Sequence, residues 1–347
     1  MTEGRRDPDG PLPVGKLPGD LLAGLLAGIE TGDDVLVGPG IGRDAAAVRV
    51  GDQILVMKTD PITFPTADVG WYLVNINAND IACMGAVPRW LLVTALLPEG
   101  STTPALVESI FAGLRNACAD VGCSLIGGHT EITEGLDRPL LIGQMIGVTT
   151  QDELIDPSTA QPSDAVMLIG GIAIEGTAIL ASEARGLLSE TVDPLILQRA
   201  ASFDRAPGIS VLNHAIDLRD AAPGQIKAMH DPTEGGLATG LDEIAQATGL
   251  GIEIEAELVH VYEETQAIAS ALNLDPWGLI ASGALLAVVS PDHASALCDR
   301  FDTDEHPVRQ IGRLTGNPED RILIKNGEPR KIPEFAVDEI ARFFASQ

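Results

Sequence analysis

The chain has 347 residues, 45% hydrophobic and 21% charged, enough for two domains with a core each, and this balance excludes wholesale disorder. With 50 Asp and Glu against 22 Lys and Arg the formal net charge is −28, which excludes nucleic acid and anionic membrane as expected partners, because both select basic surface. Aromatic residues make up only 3%, so the core must be built from Leu, Ile, Val and Ala.

The opening MTEGRRDPDGPLP holds no apolar signal core, and no stretch is long and apolar enough to span a bilayer, so a cytoplasmic protein is expected. Residues 1–18 read as loose Gly/Pro-rich chain, and Leu21–Ile29 as a short apolar helix. Strands are expected at Asp34–Val37, Ala45–Val50 and Gln53–Lys58, with turn residues between them. A helix runs from Asp68 through WYLVNINANDIACMG to Gly85. It puts Asn75 with Asn79, and Asn77 with Asp80, on shared faces; polar residues so dense in an apolar helix suggest the wall of a site.

Trp90–Leu97 follows as a strand. The next helix opens at Thr103–Pro104 and closes at Gly122, with Leu106, Ile110, Leu114 and Cys118 at four-residue intervals. Ser124–Gly128 leads into a loop, GGHTE, and Leu140–Val148 returns as a strand. The polar stretch Gln151–Asp164, with two prolines, is the expected boundary, dividing residues 1–155 from 160–347.

The second half opens with a buried strand, Ala165–Ile169, then a Gly-Gly turn and a helix near Glu175–Leu187. From His230 the segment HDPTEGGLATGLDEIAQATG reads as a turn feeding a helix, with an apolar stripe of Leu237, Leu241, Ile244 and Ala245 and a cap at Gly249. Strands at Ile252–Glu255, Ala284–Val289 and Arg321–Ile324 precede a terminal helix from Pro333. The alternation defines an α/β (α+β) protein of two similar-sized domains. Cys83, Cys118, Cys123 and Cys298 form no CxxC pair and read as free thiols, with neither a zinc site nor a disulfide framework.

Three aspartates carry the chemical signal: Asp44 in GIGRDAAAV, Asp60 in MKTDP and Asp80 in NANDIACMGA. Each follows or interrupts an apolar stretch, where an unpaired charge is costly. Carboxylates converging on one cleft are most economically neutralised by divalent cations; hard oxygen ligands favour Mg²⁺, which usually brings phosphates. Taken singly, each also reads as a cap or turn residue. The glycines of VGPGIGRDAAAV do not make a dinucleotide-binding fingerprint, because a strand follows them. In HDPTEGGL, Asp231 and Thr233 precede a helix whose first turn carries Gly235 and Gly236, leaving N–H groups for an anion; the alternative is a plain N-cap at Thr233. His129, between a Gly pair and Thr130–Glu131, is a further candidate, whereas His214 and His260 read as structural.

Together these motifs resemble the AIR synthase superfamily, which includes aminoimidazole-ribonucleotide synthase, HypE, thiamine-monophosphate kinase and selenophosphate synthetase. NDIACMGA looks like the family's ND-L/I-A-x-MGA helix, GRDAAAV like its DDAAV strand entry, and KTD like its TTD. HDPTEGGLATGLDEIAQATGLGIEI is similar to HypE's DPT-x-GGLA segment. The resemblance spans Val14 to Asn326 in the family's motif order, and HypE-like proteins are the nearest match.

It implies an N-terminal β-sheet domain that pairs in a homodimer, an α/β C-terminal domain, and ATP with Mg²⁺ in the cleft between them. By motif position Asp44, Asp60, Asp80 and Asp231 would hold metal. Gly42, Asp44, Lys58, Thr59, Asp60, Asn79, Gly127, Gly128, Thr130, Thr233, Gly235 and Gly236 would surround the nucleotide. Asp80, His129, Glu131 and Asp231 would carry catalysis. The implied reaction moves the ATP γ-phosphoryl group to a carbonyl, carboxamide or similar oxygen of a small substrate. Three departures qualify it. His129 stands where the family has an Asp, and Glu131 stands where HypE has a basic residue, although it could restore the lost carboxylate. The chain ends FFASQ, without the terminal cysteine that HypE uses as carbamoyl acceptor, so carbamoyl dehydration is not expected. The alternatives are a non-catalytic nucleotide-binding partner in a hydrogenase maturation complex, a thiamine-monophosphate-kinase-like enzyme, and a residual HypE function through Cys298.

Overall fold

The computed structural model describes Leu12 and residues 15–63 and 68–346. The expectation of loose chain over 1–18 lies largely outside these residues. The first domain runs α1 (Gly19–Leu26), β1 (Val35–Val37), β2 (Ala46–Val50), β3 (Gln53–Ile62), α2 (Val69–Cys83), β4 (Val87–Pro98), α3 (Pro104–Val121), β5 (Ser124–Thr133) and β6 (Leu140–Thr149). Its strands form one sheet in the order β1-β2-β3-β6-β4-β5, in which the β4–β5 pair alone is parallel. Leu73, Ile81, Leu91, Leu114 and Met145 fill the core between this sheet and its two long helices. α3 has the ends its residues call for: Thr103 accepts from the Leu106 N–H, Pro104 occupies the first turn, and Gly122 adopts φ +80°.

Two motifs expected at strand ends lie within strands instead. β3 continues past Lys58 to Ile62 and pairs Asp60 with Gly143 of β6. GGHTE is not a loop: β5 runs through it, with His129 opposite Thr94 of β4. The reason is steric. A Cβ on Gly128, at φ +145°, would sit 1.8 Å from the Val93 carbonyl oxygen, so glycine is what lets the two strands close up here.

The second domain comprises β7 (Ala165–Ile169), α4 (Ile174–Glu183), α5 (Arg185–Leu188), α6 (Pro194–Ala200), α7 (Leu212–Ala221), β8 (Ile226–His230), α8 (Gly236–Thr248), β9 (Gly251–Glu255), α9 (Glu263–Leu272), β10 (Leu285–Val289), α10 (Pro291–Phe301), β11 (Val308–Thr315), β12 (Arg321–Lys325), β13 (Glu328–Lys331) and α11 (Glu339–Ala345). The sheet order is β13-β12-β9-β11-β7-β10-β8, parallel between β9 and β12 and antiparallel elsewhere. The terminal helix begins at Glu339 rather than Pro333, because Asp338 caps it by accepting from the Ile340 N–H at 2.8 Å.

α2 joins the halves. Fourteen of its 15 residues are buried, the signature of a helix covered all round. It packs on β3, β6 and α3 of its own domain and on α7 and β8 of the other. Its polar residues therefore face partners, not water. Among the described residues no helix is long and apolar enough to cross a membrane.

Candidate active site between the domains

β3, the β1–β2 loop and α2 from the first domain meet the end of β8 from the second, and each delivers an acid. Asp44 is 6% exposed, Asp80 5% and Asp231 1%, while Asp60 is more open at the rim. Lys58 Nζ, on the strand that carries Asp60, lies 3.2 Å from Asp80 Oδ1 and 3.6 Å from Asp60 Oδ2. Asn77 ties α2 to β3 by accepting the Asp60 N–H at 3.2 Å and donating to Leu73 O at 2.9 Å, which fixes the spacing of Asp60 and Asp80. Asn79 reaches the other way. It donates to Asp231 Oδ2 at 3.1 Å and to Ile209 O at 2.9 Å, and accepts the Val211 N–H at 2.9 Å.

The second cation is His230. Its Nδ1 is 2.6 Å from Asp44 Oδ1 and its Nε2 2.8 Å from Glu243 Oε2, and Glu243 in turn binds Lys16 Nζ at 3.0 Å. Ligand atoms of Asp44, His230 and Asp231 lie within 4.8 Å of one another. Gly42 permits this approach: a Cβ there, at φ +70°, would strike the Glu243 carbonyl oxygen at 2.1 Å.

Burial and mutual repulsion set the electrostatics. Burial pushes Asp80 well above the usual carboxylate range; Lys58 draws it back, and Asp231, Asp60 and Asp44 drive it up. Asp231 is pushed up to about 7, by burial first and Asp44 next. Burial opposes the charge on Lys58, yet Asp80 and Asp60 hold it above its ordinary value. Burial likewise opposes the charged form of His230, but Asp44 and Glu243 outweigh it and hold the ring well above its ordinary value. Burial would raise Glu243, and the bond to His230 instead brings it to about 2. One atom is left over: Asp80 Oδ2 is buried without a hydrogen-bond partner. Five carboxylates, Glu243 included, against Lys58, His230 and Lys16 make a site short of positive charge, with oxygen donors of the kind Mg²⁺ prefers.

Asp44, Lys58, Asp60, Asn79, Asp80 and Asp231 are thus brought together. The other expected residues are placed differently. The Thr59 hydroxyl is spent on Gly143 O at 2.8 Å. Gly235 and Gly236 do not offer free amides: Gly235 N–H donates to Asp338 Oδ2 at 2.7 Å and Gly236 N–H to Thr233 O at 3.0 Å. Thr233 is not the cap of α8, a place taken by Gly235 at φ +86°. Gly127, Gly128, His129, Thr130 and Glu131 lie on the exposed edge strand, three strands and roughly 14 Å from β3. There His129 Nε2 pairs with Glu131 Oε2 at 2.9 Å, which holds the Glu131 carboxyl below its usual range. Within one chain they do not join the cluster.

His230, Glu243 and Lys16 were not anticipated. His230 had a signal, since it abuts Asp231 at a strand end; Glu243, one more acid on a polar helix face, had none. Cys298 lies half-buried on α10 with its thiol pushed up by burial, which does not prepare it as a nucleophile. Beside the cluster opens a cavity of about 1580 Å³, lined by Lys16, Asp60, Thr233, Glu175 and Ser282 among others.

Fold and site together define a two-domain α/β protein with an acidic centre shared between its domains. Residues 42–149 match the description "AIR synthase related protein, N-terminal domain", and residues 161–325 its C-terminal counterpart. A putative hydrogenase expression/formation protein of Methanocaldococcus jannaschii is 30% identical over 278 residues, 79% of this chain and 78% of the relative. The carbamoyl dehydratase HypE of Rhizobium leguminosarum bv. viciae is 30% identical over 283 residues, covering 80% and 77%. The chain belongs to the AIR synthase related family, among relatives of the HypE type. A crystal structure of hydrogenase maturation protein HypE in complex with ATP superposes with TM-score 0.69 at 23% identity, covering 93% of this chain and 91% of that one.

Proposed function

We propose that this protein is an ATP- and Mg²⁺-dependent phosphoryl-transfer enzyme that activates a carbonyl, carboxamide or similar oxygen of a small substrate. The observation that carries the reading is Asp80. Its Oδ2 is buried without a partner among the carboxylates of Asp44, Asp60 and Asp231, beside a cavity large enough for a nucleotide. An atom so placed calls for a cation. Asp60, Asp80, Asp231 and Asp44 are the residues that would hold Mg²⁺. When bound, the metal would neutralise phosphate oxygens and polarise the group in transfer. The chain's own groups then have separable tasks. Lys58 balances Asp60 and Asp80, Asn79 orients Asp231, and His230 holds Asp44 against the second domain.

Asp80→Asn tests the reading. By calorimetry it should lose Mg·ATP binding; an affinity equal to wild type would remove Asp80 from the site and the reading with it. The names of the hydrogenase-related relatives support a second reading, a nucleotide-binding partner in a maturation complex. Release of ADP in the presence of an amide or carboxylate substrate would exclude a purely non-catalytic role.

We also propose a homodimer through the first-domain sheet. β5 is a ten-residue edge strand, with Ile126 54% and Ile132 58% exposed, and such an edge is a template for pairing. His129 and Glu131 would then serve a shared surface.

A further inference from the structure

Two cavity-lining side chains of the second domain, Glu175 and Ser282, keep a buried oxygen without a well-formed hydrogen bond, and their only polar influence on one another is the pull of Ser282 on the Glu175 carboxyl. Glu175, in the first turn of α4, is 6% exposed with Oε2 unbonded; Ser282, before β10, is fully buried with Oγ unbonded. A buried carboxyl oxygen left unsatisfied is costly, so packing alone does not account for the pair. They stand apart from the aspartate cluster: the charges that act on Glu175 are Asp338 and Asp204, the latter hydrogen-bonded by Tyr72. The cavity exceeds the roughly 300–1000 Å³ of a single ligand site and leaves room for a second molecule beside a nucleotide. Its charge is one-sided. Among the described residues eight acids and three bases line it, and two of those bases, Lys16 and Arg342, are already bonded to Glu243 and Glu339. Beside a nucleotide whose charge Mg²⁺ would offset, a second anion has little to bind there.

We propose that Glu175 and Ser282 seat a protonated nitrogen, an ammonium or amidinium group, of the phosphoryl acceptor. The proposal rests on the phosphoryl-transfer reading and adds which end of the acceptor the protein grips. The Glu175 carboxylate accepts one N–H and Ser282 Oγ a second. Burial holds the empty Glu175 carboxyl up to about 7, with Ser282 drawing it down and Asp338 and Asp204 adding to the rise. An arriving cation favours the ionised form and so pairs with a group that is otherwise costly to charge.

Ligand-observed NMR with benzamidine, methylamine, acetamide and acetate as probes tests the seat in the full chain. The two cations should bind wild type, Glu175→Gln should weaken them roughly tenfold or more, and Ser282→Ala should weaken them less. Acetate should not bind. Unchanged Mg·ATP affinity of Glu175→Gln, read by calorimetry, reports that this isosteric variant is folded. Equal cation binding by wild type and Glu175→Gln, or preference for acetamide or acetate, overturns the seat. Retained Mg·ATP binding by Asp80→Asn overturns the phosphoryl-transfer reading instead, so the two failures are separate.

Discussion

Asp44 of the first domain and His230 of the second meet at 2.6 Å, a buried ion pair that crosses the domain boundary. Glu243 holds the other ring nitrogen, so the imidazole is clamped between two acids. Removing the ring leaves both acids buried and unpaired. His230→Ala should therefore cost about 3–5 kcal/mol in urea unfolding without nucleotide. A wild-type midpoint and slope would show that the pair contributes nothing.

Lys58 is the chain's own counterion for Asp60 and Asp80. In Lys58→Met only an external cation can balance them. Added Mg²⁺ should raise the melting temperature of this variant more than that of wild type, since a ligand of the native state stabilises by mass action. The same small shift in both proteins would argue against a metal-binding carboxylate set.

Glu175 gives a pH dependence of defined sign. Its native value near 7 lies above the ordinary 4.5, so the folded state binds more protons than the unfolded state between these limits. Stability from this group is complete below pH 4.5 and declines as pH rises towards 7, by about 3 kcal/mol at most. Glu175→Gln should flatten that decline and be the more stable protein at pH 8. A stability profile of the variant parallel to wild type would refute the shift.

Charge at the β5 edge should oppose strand pairing. Ile126→Lys and Ile132→Lys, both at exposed positions, should leave the fold intact and convert a dimer to a monomer in light scattering. A wild-type protein that is monomeric at micromolar concentration would end the proposal directly.

Much of the site's wall was legible in the sequence because its residues are anomalies within short windows. Asp80 and three asparagines on an apolar helix are conspicuous, and α2 places them as the spacing implied. Asp44 and Asp231 were legible as members of motifs, although the Asp44–His230 contact spans 186 residues and no local pattern encodes it. GGHTE misled because paired glycines usually mark turns, whereas here Gly128 answers to a neighbouring strand. The helix start at Gly235 misled for a related reason: Asp338, more than a hundred residues away, takes the amide that an anion was expected to use. Of the second domain, β7, β9, β10, β12 and α8 were legible from periodicity, whereas β8, which delivers His230 and Asp231, and β11 were not. α6, α7, α9 and α10 were not, being short helices whose apolar faces are defined by what they pack against.

Asn79 has a consequence for how such proteins can be recombined. One side-chain amide in the first domain satisfies a carboxylate and two backbone groups of the second. The halves are consequently not interchangeable modules, however well each sheet folds by itself. A chimaera of this N-terminal half with a relative's C-terminal half would keep both cores, yet it would strand a buried amide and misaim Asp231 unless the incoming segment matched Ile209–Val211. Inheritance in this fold is of a matched pair of domains, with Asn79 and the Asp44–His230 pair among the contacts that read the match.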